Sequence, residues 1–198
     1  MSTLKVTRTT QSKIDSIDFK NLGFGSVFSD HMLVCDYKDE AWGTPEIVPF
    51  QPISLMPSAK IFHYGQSIFE GMKAYKDADK KTWLFRPDEN FKRFNISAKR
   101  LSIPELPEAV FMEGLKALLK VDEQWIPTQD GSSLYIRPII FATGEGFHAS
   151  PANAYKFLIC TAPSGAYFAG KVKVLIEQNY SRSANGGVGY AKAGGNYA

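Results

Sequence analysis

The spacing of apolar residues along the chain predicts several strands and two helices. Two stretches, FSDHMLVCDY (28–37) and KFLICTA (156–162), are apolar runs of the length that strands of a folded core have. The stretch MKAYKDADKKTWLF (72–85) holds two short runs around a polar turn at residues 77–80, which predicts a hairpin. A further run, KVKVLIEQ (171–178), predicts another strand near the end of the sequence.

The stretch SSLYIRPIIFAT (132–143) alternates in a way that indicates more than packing. In a strand, successive side chains point to opposite faces, so Leu134 and Ile136 share one face while Tyr135 and Arg137 share the other. A strand that only packs into a core does not need a polar, aromatic second face. This alternation makes Tyr135 and Arg137 candidate site residues.

Two segments repeat their apolar residues at helical spacing instead. Asp88 can cap the first helix, and Arg93 lies off its apolar stripe. That stripe consists of Phe91, Phe94, Ala98 and Leu101. The second segment is ELPEAVFMEGLKALLKVDEQW (105–125), with Pro127 marking its end. Its core positions are Val110, Phe111, Leu115, Leu118 and Leu119.

The remaining segments suggest how the chain is organised. Residues 1 to 22 are polar and aperiodic, which predicts an arm that becomes ordered only against another surface. Prolines in residues 41–57 favour extended segments and turns. Composition shifts at PSGAYFAG (163–170), so we expect residues 1–165 to form a small α+β domain. Residues 166–198 are too few to bury a core of their own, and we expect a connector and the start of a truncated α/β domain.

Composition excludes several classes of protein. The chain is 44% hydrophobic and 22% charged, as folded globular proteins are, and its net charge of +3 is spread over interspersed residues. These values favour neither a nucleic-acid partner nor a membrane, and the first residues lack the apolar core of a signal peptide, so we expect a cytoplasmic protein. Cys35 and Cys160 sit in apolar runs and are expected to be buried thiols. His31, His63 and His148 lack metal-ligand spacing, so no metal is expected.

The strip GGVGYAKAGGNYA (186–198) carries a lysine among small residues. It lacks the Ser or Thr that follows the lysine of a phosphate-binding loop, and Lys192 stands where a dinucleotide motif needs its third glycine. Two interpretations remain from the residues themselves. One is a flexible tail with an ordinary surface lysine. The other is a nucleophilic amine beside a flat cofactor, with clearance from Ala191, Ala193, Gly194 and Gly195 and a phenol from Tyr197.

Six motifs, taken together and in order, resemble one family. The strip around Lys192 is similar to the pyridoxal-phosphate lysine segment of branched-chain amino-acid aminotransferases. The other five motifs are FSDHM, FHYGQSIFEGMKAY, LFRPDENFKRF, SLYIRP and PSGAYF. The resemblance runs from about residue 20 to the last residue and implies the N-terminal half of a fold-type-IV pyridoxal enzyme. In that fold a small α+β domain and a larger α/β domain hold the cofactor between them.

The resemblance also implies roles for individual residues. Lys192 matches the lysine that forms the Schiff base with pyridoxal 5′-phosphate and moves the proton at the substrate α-carbon. Tyr197 matches the tyrosine beside the pyridoxal O3′, and Arg93 matches the arginine that holds the phosphate. A guanidinium fork suits a phosphate dianion, which supports the last assignment independently. Glu70 is expected to be a local hydrogen-bonding group at a turn.

Aromatic residues carry the implied substrate contacts. Phe24, Tyr64, Phe69 and Tyr167 match residues that line the side-chain pocket. Tyr135 and Arg137 match residues expected to reach the site from the partner subunit of a homodimer. An aromatic pocket suits the side chains of Leu, Ile and Val, whose burial is worth about 1.5–3 kcal/mol each. Arg137 is expected to bind the distal carboxylate of 2-oxoglutarate or glutamate. The implied reaction is ping-pong transamination between a branched-chain amino acid and 2-oxoglutarate.

Family elements expected beyond residue 198 include the acidic partner of the pyridine nitrogen and the turn that binds the substrate carboxylate. We therefore expect the 198 residues alone to be inactive. Two alternatives stay open at this point. One is another fold-type-IV enzyme, a D-amino-acid aminotransferase or an aminodeoxychorismate lyase. The other is a non-catalytic product that only dimerises or binds a partner. The sequence leaves open the preference among Leu, Ile and Val and the biosynthetic or degradative role.

Overall fold

A computed structural model describes residues 4–168 and 170–198. Residues 1–3 of the predicted arm and residue 169 of the predicted connector lie outside the described residues. Nine strands form one sheet: β1 Lys5–Val6, β2 His31–Lys38, β3 Ala41–Trp42, β4 Glu46–Pro49, β5 Ser67–Phe69, β6 Met72–Lys76, β7 Thr82–Leu84, β8 Ser133–Ala142 and β9 Tyr155–Ser164. The α-helices are α1 Lys60–Tyr64, α2 Pro87–Arg100 and α3 Glu108–Val121.

The long strands β8 and β9 form the centre of the sheet. The strand order is β1-β4-β2-β9-β8-β6-β7, with β3 beside β2 and β5 beside β8. Every neighbouring pair is antiparallel except β1 and β4. The predicted hairpin is β6 and β7, in which Ala74 pairs with Leu84. The α+β expectation is therefore confirmed for this part of the chain.

The two faces of β8 have the different environments that its alternation predicts. Leu134 and Ile136 are fully buried and belong to the hydrophobic core, together with residues of α2 and α3. Phe111 of α3 lies in that core between the rings of Phe94 and Phe157, at 5.6 and 6.0 Å. The opposite face, which carries Tyr135 and Arg137, is here called the site face.

Both predicted helices form, but their starts differ from the expectation. Asp88 is not the cap of α2, because the helix already begins at Pro87 and its N-cap is Arg86, at a φ of 48°. Proline is well suited to the first helical position, where no backbone N–H is needed, and Asp88 instead favours the first turn by its charge. The second helix begins after Pro107 and not at Glu105, because a proline disfavours helical geometry in the residue before it.

The arm is ordered against the chain's own sheet. Strand β1 pairs with β4, and the backbone N–H of Thr9 donates to Nε2 of His31 at 2.9 Å. Ile14, Ile17 and Phe19 pack against the core, and their wide spacing is why the sequence reads as aperiodic. His31 is itself buried and bonded to Asp122, with Nδ1 and Oδ1 2.6 Å apart.

The strand predicted at residues 171–178 is wrong. No strand of the described residues pairs with this segment, and Val174, Leu175 and Ile176 are more than four-fifths exposed. A strand requires a neighbour to accept its backbone hydrogen bonds, and apolar content alone does not supply one. The extended and turn structure predicted for residues 41–57 agrees with β3 and β4.

Cys35 and Cys160 are free thiols, as expected, but only Cys35 is fully buried and Cys160 is partly exposed. Burial raises the pKa of each to about 11, so neither is a ready nucleophile near neutral pH. Within residues 4–168 and 170–198, no helix has both the length and the apolar character that a membrane span requires.

Replacement of the core ring of Phe111 tests this packing. Phe111→Ala is expected to lower the free energy of unfolding by about 3–5 kcal/mol, because it removes a fully buried ring and leaves a cavity. Phe85→Ala is the matched control, since Phe85 is 79% exposed and its loss is expected to change stability by less than about 0.5 kcal/mol. Urea unfolding of both variants measures the difference. Equal losses would contradict the position of the core.

Candidate active site

The strip that holds Lys192 is attached to the body of the fold through its backbone. The N–H of Phe69 donates to the carbonyl of Lys192 at 3.0 Å, and Ala193 forms an isolated bridge with Ile68. On the other side, the N–H of Lys192 donates to Oγ of the buried Ser97 at 2.8 Å. Both backbone polar groups of Lys192 are thus satisfied by β5 and α2, so this lysine is not in a loose tail.

The amine of Lys192 lies among aromatic groups. Its Nζ donates to the hydroxyl of Tyr197 at 3.2 Å and lies 4.2 Å from the ring centroid of Phe69 and 4.5 Å from that of Tyr197. The two rings pack edge to face, with centroids 4.9 Å apart. A cation held over aromatic faces is attracted by the ring quadrupole. The amine is therefore directed to one place by two rings and one hydroxyl.

Arg93 of α2 forms a two-pronged ion pair with Glu70. Its Nε donates to Oε1 at 2.5 Å and its second terminal nitrogen to Oε2 at 2.8 Å. The Glu70 side chain is fully buried, whereas that of Arg93 is 53% exposed. The pKa of Arg93 is raised, mainly by its hydrogen bonds to Glu70, with additions from the charges of Glu70 and Tyr197.

Glu70 does not occupy a turn, in contrast to the expectation. It lies between β5 and β6, which pair with β8 in one continuous register, Phe69 with Ile139 and Met72 with Ile136. The ladder is interrupted there because Pro138 has no N–H to donate, although the N–H of Glu70 still reaches its carbonyl at 2.8 Å. In this register Glu70 shares the buried face of Ile68 and Met72.

One face of α2 carries the polar contacts of the site. Asn90 and Arg93 bind Glu70, Ser97 binds the backbone of Lys192, and Arg100 donates to the carbonyls of residues 186 and 187 at 3.4 and 3.3 Å. These positions recur at three- and four-residue spacing, so they lie along one side of the helix. The helix therefore supports both the Glu70 carboxylate and the lysine strip.

Aromatic rings cluster on the site face. Phe24 packs edge to face against Tyr135 and Tyr167, with centroids 4.9 and 4.6 Å away. Arg137 donates to the hydroxyl of Tyr135 at 2.8 Å, and its guanidinium carbon lies 4.5 Å from the ring centroid of Phe69. Because Phe69 also contacts Lys192, a continuous set of contacts joins Arg137 to the amine within one chain. These contacts lie within one chain, and the contribution of Tyr135 and Arg137 to a partner subunit's site stays a prediction.

A cavity of about 440 Å³ opens beside Arg137. It is lined by Phe24, Phe28, Phe50, Tyr135, Cys160 and their neighbours. The rings of Phe28 and Phe50 are stacked 4.9 Å apart, and sequence reasoning missed both. Nε of Arg137 is buried and has no hydrogen-bond partner in the described structure. A buried donor without a partner is costly. The Arg137 side chain also lines the cavity, so an acceptor placed there would meet its guanidinium.

Tyr64 is not brought into this ring cluster. It belongs to α1, is 45% exposed, and its hydroxyl donates to the backbone carbonyl of Phe147. The other predicted pocket residues, Phe24, Phe69 and Tyr167, do lie together with Tyr135 and Arg137.

The small residues of the strip serve packing as well as clearance. Ala191 and Ala193 are buried, and a Cβ on Gly194 would come within 2.6 Å of Oγ of Ser67. Gly195 differs, because a Cβ there would meet nothing within 4 Å. Within the strip, Gly195 therefore borders open space, while the other three positions pack the strip against the body of the fold.

Sequence reasoning also missed Ser97, Arg100 and the structural role of Glu70. The position of Ser97, four residues after Arg93, was a usable signal, since residues at that spacing share a helix face. Glu70 could have been found from the alternation of SIFEGM, which places it between two apolar residues on the core face.

Curated relatives match the chain over nearly all of its length. The branched-chain-amino-acid aminotransferase of Mycolicibacterium smegmatis is 49% identical over 183 residues, which are 90% of this chain and 50% of that protein. Branched-chain-amino-acid aminotransferase 2 of Bacillus subtilis is 45% identical over 193 residues, 96% of this chain and 53% of that protein. The chain spans about half the length of the curated relatives it matches. No family model matches it.

Solved structures agree with this match. The T.th. branched-chain amino acid aminotransferase with pyridoxamine 5′-phosphate aligns with a TM-score of 0.60 at 29% identity, over 89% of this chain and 53% of that one. The same enzyme complexed with N-(5′-phosphopyridoxyl)-L-glutamate aligns with a TM-score of 0.58 at 30% identity, over 82% of this chain and 51% of that one.

A methyl group at position 71 tests the geometry of the site face. A Cβ on Gly71 would overlap the hydroxyl of Tyr135, so Gly71→Ala is expected to displace that ring and break its hydrogen bond with Arg137. Such overpacking is expected to cost about 1–3 kcal/mol of unfolding free energy and to alter the near-ultraviolet circular dichroism. Gly195→Ala is the control, since it meets open space. An unchanged spectrum in Gly71→Ala would contradict the placement of Tyr135.

Proposed function

Since the chain belongs to the fold-type-IV branched-chain-amino-acid aminotransferases and matches their N-terminal half in both sequence and fold, we propose that it forms the lysine-bearing part of such a transaminase. The reaction would move the amino group of L-leucine, L-isoleucine or L-valine to 2-oxoglutarate. The observation that carries this proposal is the setting of Lys192, whose amine lies between Phe69 and Tyr197 on a strip seated by β5 and α2. The named relatives favour this reaction over that of D-amino-acid aminotransferases or aminodeoxychorismate lyases.

The residues present fit pyridoxal 5′-phosphate. Lys192 offers a primary amine and Tyr197 a hydroxyl beside it, and the backbone of Gly195, in the same strip, borders open space. Arg93 offers a half-exposed guanidinium, the group that best matches a phosphate dianion. We propose that these side chains hold the cofactor by its carbonyl carbon, its ring oxygen and its phosphate respectively. When bound, the cofactor supplies an electron sink for negative charge at the substrate α-carbon.

The chain's own groups then have separate tasks. Lys192 moves the proton at the substrate α-carbon, and Tyr197 keeps the amine directed toward that atom through its hydroxyl. The rings of Phe24, Tyr135 and Tyr167 offer apolar surface to a branched side chain, whose burial is worth about 1.5–3 kcal/mol. Phe69 separates the amine from Arg137 while touching both.

Arg137 is proposed to distinguish the two amino-acid substrates. Its guanidinium lines the cavity, so the distal carboxylate of 2-oxoglutarate or glutamate would bind it there through charged hydrogen bonds. A leucine side chain would instead lie on the neighbouring rings. In the T.th. enzyme, structures with N-(5′-phosphopyridoxyl)-L-glutamate and with 4-methylvaleric acid show that a relative accepts both kinds of group.

The assembly and domain organisation are proposed on the family resemblance. We propose that the protein is a cytoplasmic homodimer and that Tyr64, which is exposed on α1, contributes to a pocket at the subunit interface. We also propose that residues 166–198 are the connector and the start of the larger domain. The end of β9 at Ser164 supports that boundary.

Covalent labelling tests the role of Lys192. Borohydride reduction of the protein with pyridoxal 5′-phosphate is expected to leave one stable label, on the peptide that contains Lys192, because this lysine is the one seated beside Tyr197. Lys192→Ala is expected to lose the label, whereas the exposed Lys99→Ala should keep it. Peptide mass spectrometry measures the label. An undiminished label in Lys192→Ala would contradict the proposal.

A substitution at Arg137 tests whether this residue binds the distal carboxylate of 2-oxoglutarate. In a protein that joins these residues to the remaining half of the relatives' length, Arg137→Gln is expected to raise the KM for 2-oxoglutarate at least about tenfold. The reason is that a hydrogen bond to a charged group is worth about 1.5–3 kcal/mol. The kcat/KM for leucine in the first half-reaction should change by less than about twofold, because its side chain makes apolar contacts only. Stopped-flow measurement of each half-reaction separates the two. Equal losses in both would argue against this role.

A further inference from the structure

The Glu70 carboxylate is a costly group to bury if its role is folding alone. It lies between Ile68 and Met72 on the core face of the sheet, with a fully buried side chain. Removing a carboxylate from water opposes the attraction it gains from a partner, so buried ion pairs are weak contributors to stability. An apolar residue would continue the core of its neighbours without that opposition. The position therefore calls for an explanation outside packing.

The hydrogen bonds to the Glu70 carboxylate serve to fix one side chain. Arg93 donates one hydrogen bond to each carboxylate oxygen, and Nδ2 of Asn90 and the N–H of Gly71 donate to Oε2 at 2.8 and 3.1 Å. The last two contacts hold the carboxylate in place, and the first two hold the guanidinium. Because a guanidinium is planar and its donors are rigidly arranged, a two-pronged contact fixes the direction of its remaining edge.

Arg93 shares a helix face with a residue that holds the lysine strip, because Ser97, four residues later, accepts from the N–H of Lys192. The Arg93 side chain is 53% exposed although its partner is fully buried. Without the carboxylate, a long side chain on a helix surface would sample several rotamers. Glu70 thus removes the freedom of the group that faces the site.

We propose that Glu70 is a positioning residue, which holds the free edge of Arg93 in the orientation that grips the phosphate of pyridoxal 5′-phosphate. This inference rests on the proposed function. Glu70 acts only through Arg93, so its loss should weaken recognition of the phosphate and leave recognition of the pyridine ring unchanged. A purely structural role would weaken both together.

The experiment compares two ligands that differ by the phosphate alone. Pyridoxamine 5′-phosphate and pyridoxamine form no covalent bond with Lys192, so the ratio of their dissociation constants measures how much the phosphate group adds to binding. Glu70→Gln replaces one carboxylate oxygen by an amide N–H2 group, which cannot accept a hydrogen bond from Arg93. The two-pronged contact would therefore be lost. Calorimetric titration is expected to show that the ratio of the two dissociation constants falls roughly tenfold, while the affinity for pyridoxamine is unchanged. A change of this size is typical of coupled residues in direct contact.

A second buried carboxylate provides the matched control. Asp122 is also buried and paired, with His31, and its hydrogen bonds lie away from Arg93. Asp122→Asn is expected to keep the full phosphate preference even if it lowers the thermal midpoint. In an Arg93→Lys background, which lacks the fork, Glu70→Gln should have little further effect on the preference. If Glu70→Gln does not fold, Asn90→Ala removes one donor to the carboxylate and is expected to change the preference in the same direction, by less.

The outcomes separate the inference from the proposed function. A smaller phosphate preference in Glu70→Gln alone would support the positioning role. An unchanged preference, or equal losses for the two ligands, would overturn it while the unaltered protein still prefers the phosphorylated ligand. If the unaltered protein showed no such preference, the proposed function would fail, and this inference with it.

Discussion

The site depends on the contact between the backbone of Lys192 and two elements of the sheet domain. Strand β5 donates to its carbonyl and Ser97 of α2 accepts from its N–H. These two bonds place the side chain over Phe69 and next to Tyr197. A lysine in a glycine-rich segment would otherwise sample many conformations, and its amine would have no fixed relation to any other group. The arrangement of the remaining site residues has meaning only once this amine is fixed.

The sheet then divides the work between its two faces. On one face, apolar residues of β8 and β9 pack with α2 and α3 and make the core. On the other, Tyr135 and Arg137 from the same strand join Phe24 and Phe69 in an aromatic cluster beside a cavity. The face of α2 that supports the strip also carries Asn90 and Arg93, which donate to the Glu70 carboxylate. Folding and chemistry thus use alternate residues of the same strands.

Much of this could be predicted from the sequence, for physical reasons that differ between elements. The alternation in SSLYIRPIIFAT predicted both faces of β8, because side-chain direction in a strand follows residue parity. The segment KVKVLIEQ failed, because apolar content does not specify a pairing partner. Glu70, Ser97 and Arg100 were missed as site supports, since their importance lies in contacts with residues distant in the chain. The helix starts shifted because proline geometry outweighed the capping preference of Asp88.

The proposed chemistry is transfer of the amino group of branched-chain L-amino acids at this site. The most direct test supplies the protein that carries these residues with 2-oxoglutarate and either ¹⁵N-labelled L-leucine or ¹⁵N-labelled D-alanine, and follows labelled glutamate by mass spectrometry. We expect labelled L-glutamate from L-leucine and none from D-alanine. Label transfer from D-alanine, without any from L-leucine, would contradict the proposed function.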